Sequence, residues 1–356
     1  MRIGGREIGS EFPPYVIAEV GVNHDGSADR ALELTRLAAR AGADAVKFQL
    51  FEADRLMSRA AKLAAYQRAA GETDPVAMLR RLELPIGALE ACAAEAHRLG
   101  VHAIVSVFSV ELVNEAERVP WDAYKTASPD VINRPLLDAL AATGRPMLVS
   151  TGASTLAEVE RMLGWMAGVK DRLGVLQCVS AYPTPIEHAA PLGMMAISGV
   201  FPGGVVGYSD HTTGVEFGGV MAGLGAMVLE KHLTYDRNAT GPDHGASLGP
   251  EEFAAYVRGA REGWRRGART REGTIEKVVL AIEQDVRRVS RQSLTSARAM
   301  RAGEVVRRAD LTIKRPGTGL PPYEMERVAG CRLARDVEAD MPLCEADVLV
   351  PTMAPR

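Results

Sequence analysis

The stretch that decides the fold is VVGYSDHTTGVEFGGVMAGLGAMVLEKHLTYDRNATGPDHGAS, residues 205–247. It contains two short apolar runs, 205–211 and 226–234, and each run ends in polar residues. The small residues between the runs suffice for one crossover helix, so the pattern predicts a strand–helix–strand unit with parallel strands. Because residues two apart on a strand share a face, we expect His211 and His232 to project from the same end of neighbouring strands.

Two imidazoles in that arrangement can share one metal ion. A single buried histidine is more often a hydrogen-bonded core residue, but a matched pair followed by the turn 241–244 favours a metal site. Two protein ligands leave coordination positions for water and substrate oxygens, which suits a Lewis acid that polarises a carbonyl group. Mn²⁺ is the metal we expect first, and Mg²⁺ or Co²⁺ would also suit such a site.

The same alternation of strands and helices fills the preceding residues. Residues 1–13 carry alternating runs around a Gly-Gly pair, which predicts a small hairpin. Eight strands alternating with eight helical segments over about 250 residues predict a (β/α)8 TIM barrel, with a doubly wound open sheet as the alternative. The strands predicted before the quoted stretch are 15–20, 44–51, 101–109, 123–129, 145–152 and 174–183.

A different pattern occupies the C-terminal part of the chain. Short strands, loops rich in Gly and Pro and a short helix around 323–328 predict a small, mostly-β domain. We therefore assign residues 1–270 to the barrel with its hairpin, 271–290 to a linker and 291–356 to the small domain. Since so small a domain has little core of its own, we expect it to dock on the barrel or on a second subunit.

Composition excludes several classes of protein. The 356 residues are 47% hydrophobic and 24% charged with a net charge of -3, which is unlike a basic nucleic-acid-binding protein. No apolar run approaches membrane-spanning length, and the N-terminus lacks the apolar core of a signal peptide. Cys92, Cys178, Cys331 and Cys344 form no CxxC pair, so we interpret them as free thiols that serve packing in a reducing, cytoplasmic environment.

The predicted C-terminal strand ends, where TIM barrels carry their chemistry, are polar. Lys47 and Lys125 supply positive charge and several serines supply hydroxyl donors, so phosphate or carboxylate is the expected ligand. Glu19 and Asp243 are candidates for contacts to sugar hydroxyls or for proton transfer. Together with the paired histidines, these residues predict a metal-assisted enzyme that joins a phosphorylated anion to a carbonyl compound.

An ordered series of motifs resembles the sialic acid synthase family. The closing run KRPGTGLPPYE, residues 314–324, resembles the antifreeze-like (SAF) domain of that family. The resemblance implies a nonulosonic (sialic-acid-like) acid synthase: a transferase that condenses phosphoenolpyruvate with an N-acetylated mannosamine-type sugar aldehyde and releases phosphate by C–O cleavage. It also implies a domain-swapped homodimer. The motifs of the barrel are IAEVGVNHDG, AVKFQLF, YKTASPD, VSTGAS, YPTP, GYSDHT, LEKHLT and GPDHGAS.

Matching the family motifs position by position assigns roles to individual residues. The metal ligands are His211 and His232, and both count as catalytic together with Glu19, which is expected to handle a proton on the sugar oxygen or on the attacking water. The chain departs from the family pattern at Val107, Pro129 and Ser180, which affects the choice of sugar rather than the reaction. The phosphoenolpyruvate contacts implied are Lys47, Ser106, Lys125, Ser128, Ser150, Ser180 and Ser209. The sugar contacts implied are Glu19, Asp130, Tyr182, Asp243 and the partner subunit's Arg315.

Two alternatives stay open from the residues alone. One is a different barrel enzyme, either another metal-dependent 2-keto acid synthase that uses phosphoenolpyruvate or a pyruvate aldolase, whose Schiff-base form needs a desolvated lysine. The other is a non-catalytic carbohydrate- or ice-binding protein, which the antifreeze-like segment suggests. The polar strand ends favour an enzyme, because a binding module has no need for two lysines, paired histidines and Glu19 together.

Overall fold

The computed structural model describes residues 1–69, 71–270 and 278–349. The chain divides into two compact units, Met1–Glu272 and Gly273–Arg356. Part of the predicted linker, 271–277, and the last seven residues of the predicted small domain lie outside the described residues. Within the described part of the linker, Gln284–Ser290 forms a helix.

The first unit is a closed barrel of parallel strands, which confirms the predicted TIM barrel over the open sheet. A two-stranded antiparallel hairpin, β1 (Arg2–Ile3) and β2 (Arg6–Glu7), precedes the barrel as predicted. Within the described residues the barrel strands pair in chain order, and the last returns to the first. They are β3 (Tyr15–Gly21), β4 (Ala45–Leu50), β5 (His102–Val107), β6 (Ala123–Thr126), β7 (Met147–Ser150), β8 (Leu173–Cys178), β9 (Val205–Asp210) and β10 (Val228–His232).

Helices cover the outside of these strands. The first begins at Ala28, because the Ser27 hydroxyl caps it by accepting a hydrogen bond from the Arg30 amide at 3.3 Å. The chain turns after it at Gly42, whose φ of 82° favours glycine. The α-helices of the first unit are α1 (Ala28–Arg40), α2 (Ala53–Leu56), α3 (Ala65–Ala69), α4 (Pro75–Leu82), α5 (Ile86–Arg98), α6 (Val113–Ala116), α7 (Arg134–Ala142), α8 (Leu156–Trp165), α9 (Leu192–Val200), α10 (Phe217–Gly223) and α11 (Pro250–Thr270).

Most of the predicted strands are longer than the observed ones, and two of them run on into loops. The run 123–129 ends as a strand at Thr126, because Ser128–Ile132 closes into a 3₁₀ turn. The run 174–183 ends at Cys178, after which the chain leaves the barrel wall. In both places the polar residues at the end of the run belong to a connecting loop, so their side chains are placed by the loop and not by strand alternation.

The barrel interior changes from apolar to polar along the strands. A lower layer, which includes Ile17 and Ala45 and packs against Ile3 of the hairpin, is buried and apolar. Two residues further along the same strands stand Glu19 and Lys47, also buried. Since side chains two apart on a strand share a face, each of these two strands contributes one apolar residue to the lower layer and one polar residue to the layer above it. The strand period thereby places the polar layer on a rigid base.

Helices α10 and α11 approach each other closely through glycines. A Cβ atom on Gly263 would overlap the carbonyl oxygen of Gly219, and one on Gly267 would overlap the backbone at Gly223. Small residues allow two helix backbones to come this near. The crossing holds α11 against the part of the barrel that carries β9 and β10.

The long connection between β4 and α5 folds into three short helices, α2 to α4. Its apolar residues Leu63, Met78 and Leu82 pack with Val22 and Phe51 into a small separate core. This long connection is therefore stabilised by its own small apolar core, which holds it beside the end of β4.

The second unit contains two antiparallel strand pairs and two short α-helices among its described residues, in agreement with the predicted mostly-β domain. A turn begins at Arg301, where the Glu304 amide donates to the Arg301 carbonyl at 3.1 Å. No helix in the described parts of the chain is both long and apolar enough to cross a membrane. The elements are α12 (Gln284–Ser290), β11 (Ser293–Ser296), β12 (Leu311–Lys314), α13 (Met325–Val328), β13 (Arg332–Leu333) and β14 (Val348–Leu349).

The close glycine crossing predicts the effect of adding a single methyl group. Gly263→Ala should lower the free energy of unfolding by about 1–3 kcal/mol, because the new Cβ forces the two helices apart. Gly164→Ala in α8 is the matched control, since its Cβ meets no atom within 4 Å, and it should be neutral or stabilising by about 0.5–1 kcal/mol. Urea unfolding measures both, and equal midpoints for the two variants would contradict the packing described.

Candidate active site

A cavity of about 400 Å³ lies at the C-terminal ends of the barrel strands. Its walls combine the polar layer of the barrel interior with the loops that follow the strands. The predicted residues that line it are Glu19, Lys47, Ser106, Lys125, Ser128, Ser150, Ser180, Tyr182, Ser209, His211, His232 and Asp243. The structure therefore brings together nearly all of the side chains that the sequence singled out.

The floor of the cavity holds two lysines and two glutamates. Lys47 Nζ lies 2.7 Å from Glu19 Oε2 and 3.6 Å from Glu230 Oε2. Lys125 Nζ lies 3.4 Å from Glu230 Oε1. All four side chains are buried, so each charge relies on its neighbours for compensation. Glu230 contacts both lysines and is the centre of the cluster.

The cluster shifts the pKa values of its members. Burial alone would raise the pKa of Glu230, but the attraction of Lys125 and Lys47 outweighs it and lowers the pKa to about 2. Burial, supported by repulsion from Glu230, raises the pKa of Glu19 despite the opposing effect of Lys47. Burial lowers the pKa of Lys125. Glu230 is thus an ionised carboxylate, and Glu19 is the carboxyl group that is more readily protonated.

The serine hydroxyls surround this floor in two groups. Ser106 Oγ accepts from Lys47 Nζ at 2.9 Å, and Ser209 Oγ donates to Glu230 Oε1 at 2.7 Å. Ser150 Oγ is buried and has no hydrogen-bond partner within the described residues. Ser128 Oγ accepts from the Gly152 amide at 2.9 Å. Because a buried hydroxyl without a partner is unfavourable, Ser150 is available to a bound ligand.

Gly152 leaves room for these hydroxyls. A Cβ atom there would lie 2.8 Å from Ser128 Oγ and 3.0 Å from Cys178 Sγ. The thiol of Cys178 is buried, as predicted, but it lines the cavity rather than the packed layer outside the barrel. The absence of a side chain at position 152 keeps the end of β7 open to a ligand.

The two histidines meet as the strand pattern predicts. His232 ends β10, His211 follows β9, and their ring centroids are 5.5 Å apart. His211 Nδ1 is 2.8 Å from the Val179 carbonyl oxygen, so this nitrogen carries a proton and donates to that carbonyl. His232 Nδ1 has no hydrogen-bond partner within the described residues and lies 3.7 Å from Asp243 Oδ2.

Tyr182 and Asp243 lie next to the histidines. The Tyr182 ring is 4.0 Å from the His211 ring, centroid to centroid, and stands edge-on to His232. Burial, reinforced by the charge of Glu19, raises the pKa of Asp243 to about 6. Beside the imidazoles the cavity therefore offers one aromatic face and one carboxyl group.

One predicted sugar contact, Asp130, does not line the cavity, and another, Arg315, belongs to the second unit. Asp130 lies in the 3₁₀ turn after β6, where its Oδ1 accepts from Asn133 Nδ2 at 3.0 Å, and it is not among the lining residues. Arg315 belongs to the second unit, where it is exposed and precedes a cis proline, Pro316. Both assignments stay predictions that follow from the family resemblance.

The sequence did not assign a role to several residues that line the cavity. Glu230 shares a strand face with His232, so its position could be predicted, but its contacts with lysines from two other strands could not. The long excursion contributes an aromatic ring, Tyr66, whose centroid is 5.0 Å from that of Tyr182. Gln49 donates to Glu19 Oε1 at 2.9 Å. The other lining residues without a predicted role are Val22, Ala64, Gln67, Met78, Leu79, Leu82, Phe108, Ala127, Pro129, Cys178 and Pro242.

Fold and site define a class of protein. A closed (β/α)8 barrel with buried lysines, hydroxyls and paired histidines at its catalytic end, followed by a small antiparallel unit, is a barrel enzyme built to bind an anionic substrate. The chain belongs to the NeuB family, whose model matches residues 34–269. Residues 291–349 match the SAF domain model.

Relatives resemble the chain over nearly its full length. It is 34% identical over 340 residues to the N,N'-diacetyllegionaminic acid synthase of Legionella pneumophila, with 93% of each chain covered. It is 31% identical to the N-acetylneuraminate-9-phosphate synthase of Mus musculus, covering 97% of this chain and 95% of that protein. Among solved structures, the spore coat polysaccharide biosynthesis protein SpsE of Bacillus subtilis matches with a TM-score of 0.66 and 27% identity, covering 98% of this chain and 99% of that one.

The charge cluster predicts a large stability effect for its central member. Glu230→Gln should lower the free energy of unfolding by about 3–5 kcal/mol, because it leaves two buried ammonium groups with a single carboxylate. The exposed Glu90 on α5 provides the control, and Glu90→Gln should change the stability little. Chemical denaturation at neutral pH measures both. A Glu230→Gln protein as stable as the wild type would show that the cluster is not charged as described.

Proposed function

We propose that this protein is a nonulosonic acid synthase. It condenses phosphoenolpyruvate with an N-acetylated, mannosamine-type sugar aldehyde and releases inorganic phosphate by cleavage of the C–O bond. The observation that carries the proposal is the preformed cavity in which two buried lysines and a ring of hydroxyls lie below paired histidines. Membership of the NeuB family and the names of its synthase relatives support the same reaction.

Phosphoenolpyruvate binds on the lysine floor. Lys47 and Lys125 face its phosphate and carboxylate, and the unpaired Ser150 hydroxyl donates to one of its oxygens, with Ser128 and Ser180 beside it. The positive charges of the two lysines are already balanced by the carboxylates of Glu19 and Glu230. A multiply charged anion therefore requires positive charge beyond that of the lysines.

A divalent metal at His211 and His232 would provide that charge, and the residues present fit one. The Val179 carbonyl orients His211 as a second-sphere acceptor does in metal sites. Burial holds the pKa of His232 well below its usual range, so its imidazole is neutral as a ligand must be. The described residues contain no cluster of three or more ligating side chains, so water and substrate oxygens complete the shell. Mn²⁺ is the proposed ion, with Mg²⁺ or Co²⁺ as substitutes.

The reaction forms one bond and breaks another. C3 of phosphoenolpyruvate attacks the aldehyde carbon, and the aldehyde oxygen takes up a proton to become a hydroxyl group. Water then adds at C2, loses a proton, and the C2–O bond to phosphate breaks to leave the 2-keto acid. When bound, the metal polarises the aldehyde carbonyl. Lys47 and Lys125 stabilise the negative charge throughout, and Glu19 handles the proton on the sugar oxygen or the water.

The sugar occupies the outer half of the cavity. Tyr182 offers a ring face and Asp243 a carboxyl group near the histidines, and Tyr66, Met78 and Leu82 form an apolar part of the cavity wall. Apart from Lys47 and Lys125 on the floor, the lining residues described include no lysine or arginine. A phosphate group on the sugar would face this apolar wall without a partner from the barrel, so the cavity favours an unphosphorylated, acylated sugar.

The proposal also includes a homodimeric assembly and a cytoplasmic location. The small domain has a limited core, and docking it onto a second copy would let the partner subunit's Arg315 reach the sugar in a domain-swapped homodimer. The protein acts in the cytoplasm, where phosphoenolpyruvate is available, and four free cysteines are compatible with a reducing compartment.

Phosphate release tests the reaction directly. Purified protein with Mn²⁺ and phosphoenolpyruvate should release phosphate only when a suitable sugar is added, and EDTA should abolish the release. The sugars to compare are N-acetylmannosamine, its 6-phosphate and a 2,4-diacetamido-6-deoxymannose, with a sugar-free control. We expect activity with an unphosphorylated sugar and little with the 6-phosphate.

Each other outcome contradicts a different part of the proposal. Preference for the 6-phosphate would contradict the proposed sugar class but keep the reaction. Borohydride trapping of the enzyme with pyruvate would indicate a Schiff-base aldolase. Sugar binding without phosphate release would indicate a non-catalytic protein, and failure to bind phosphoenolpyruvate would remove the proposal altogether.

The role of Glu19 has its own test. Glu19→Gln should lower kcat by about 100-fold or more, because the amide cannot transfer the proton. The dissociation constant for phosphoenolpyruvate should change little, since Gln keeps the size of Glu and both lysines still contact Glu230. Exposed Glu160→Gln serves as the control for both measurements. A Glu19→Gln enzyme with normal turnover would exclude Glu19 as the proton-transfer residue.

A further inference from the structure

A second buried ion pair lies just outside the barrel wall, on the other face of the histidine strands. Lys231 and Asp210 are paired in the register of β10 and β9, and each precedes a histidine in sequence. Their neighbours Glu230 and Ser209 point into the cavity, so Lys231 and Asp210 point away from it toward the helices. Both side chains are 0% exposed.

The pair is tied to the backbone around His211. Lys231 Nζ lies 3.4 Å from Asp210 Oδ1, and it also donates a short hydrogen bond to the Thr212 carbonyl. Asp210 Oδ1 accepts from the Thr212 amide at 2.8 Å. The residues on both sides of His211 are therefore held by two side chains that make no contact with the cavity.

Other contacts reinforce this arrangement. Tyr256 of α11 is fully buried, and its ring centroid lies 5.8 Å from Lys231 Nζ. The carbonyl of His211 itself accepts from the Thr184 amide at 2.8 Å. The tight crossing of α10 and α11 holds Tyr256 in this position. The backbone that carries His211 is thus restrained from three directions.

Stability alone does not account for such a pair. Removing two charges from water costs about as much as their attraction returns, so apolar residues of similar volume serve packing equally well or better. A buried ion pair does, however, demand one geometry, because the alternative arrangements leave a charge without a partner. The Asp210–Lys231 pair therefore fixes the geometry of the turn that places His211 opposite His232.

We propose that Asp210 and Lys231 are positioning residues that fix the orientation of His211 relative to His232 and so set the affinity of the site for a divalent cation. The proposal rests on the metal site proposed above. It assigns the pair no contact with substrate; the pair acts through the backbone of residues 211–212.

The test compares single and double substitutions. Asp210→Asn and Lys231→Met should each lower Tm by roughly 10 °C, because each leaves a buried charge unpaired. The double variant removes both charges and should recover most of the Tm. It should nevertheless bind Mn²⁺ roughly 10- to 100-fold more weakly, the usual effect of losing outer-shell support. Equilibrium binding of Mn²⁺ to metal-free protein, followed by electron paramagnetic resonance, measures this without turnover.

The matched control is an ion pair at the opposite end of the barrel. Asp44 accepts from the Val16 amide at 2.8 Å and pairs with Arg6, so its contacts resemble those of Asp210. The double variant Arg6→Met/Asp44→Asn should leave Mn²⁺ affinity unchanged. A Lys231→Met/Asp210→Asn protein that folds and binds Mn²⁺ with wild-type affinity would show that the pair does not position His211.

Further outcomes separate this proposal from the proposed reaction. If the double variant does not fold, Asp210→Asn alone decides, since Asn keeps the acceptor for the Thr212 amide; unchanged Mn²⁺ affinity in that variant overturns the proposal. A wild type that releases phosphate but binds no Mn²⁺ overturns the metal site and this inference while leaving the reaction in place. A wild type that binds Mn²⁺ but releases no phosphate contradicts the reaction alone.

Discussion

The interaction on which the site depends is the pairing of two lysines with two glutamates inside the barrel. None of the four charges is tolerable there alone, because burial of an unpaired ion is costly. Glu230 contacts both Lys47 and Lys125, so strands from different parts of the barrel must close in one register. The polar layer is therefore preformed, and a bound anion finds its hydrogen-bond donors in place.

Strands β9 and β10 serve two layers of the molecule at once. One face presents Ser209 and Glu230 with the histidines to the cavity, and the other presents Asp210 and Lys231 to the surrounding helices. The period of a β-strand makes this possible, since adjacent residues point in opposite directions. The glycine crossing of α10 and α11 lies behind them. Neighbouring residues on the same strand therefore connect the packing outside the barrel to the side chains that line the cavity inside it.

The sequence predicted what strand periodicity determines. The barrel, the hairpin and the approach of His211 to His232 all follow from alternation and from parallel strand ends. Periodicity could not give contacts between side chains of distant strands, so the roles of Glu230 and Gln49 were missed. Nor could it trace the excursion that brings Tyr66 to the cavity, because the path of a long connection depends on its own small core. Asp130 is not among the residues that line the cavity, because its carboxylate turns to accept a hydrogen bond from Asn133 within the 3₁₀ turn.

The fate of the bridging oxygen of phosphoenolpyruvate tests the central claim most directly. In the proposed reaction water attacks C2, so the bond between C2 and the bridging oxygen breaks. With oxygen-18 in the bridging position, a mass spectrum of the products should show the label in inorganic phosphate and none in the 2-keto acid. Label retained in the keto acid would mean that the phosphorus–oxygen bond breaks, and the arrangement of lysines, hydroxyls and water described for this cavity would then be wrong.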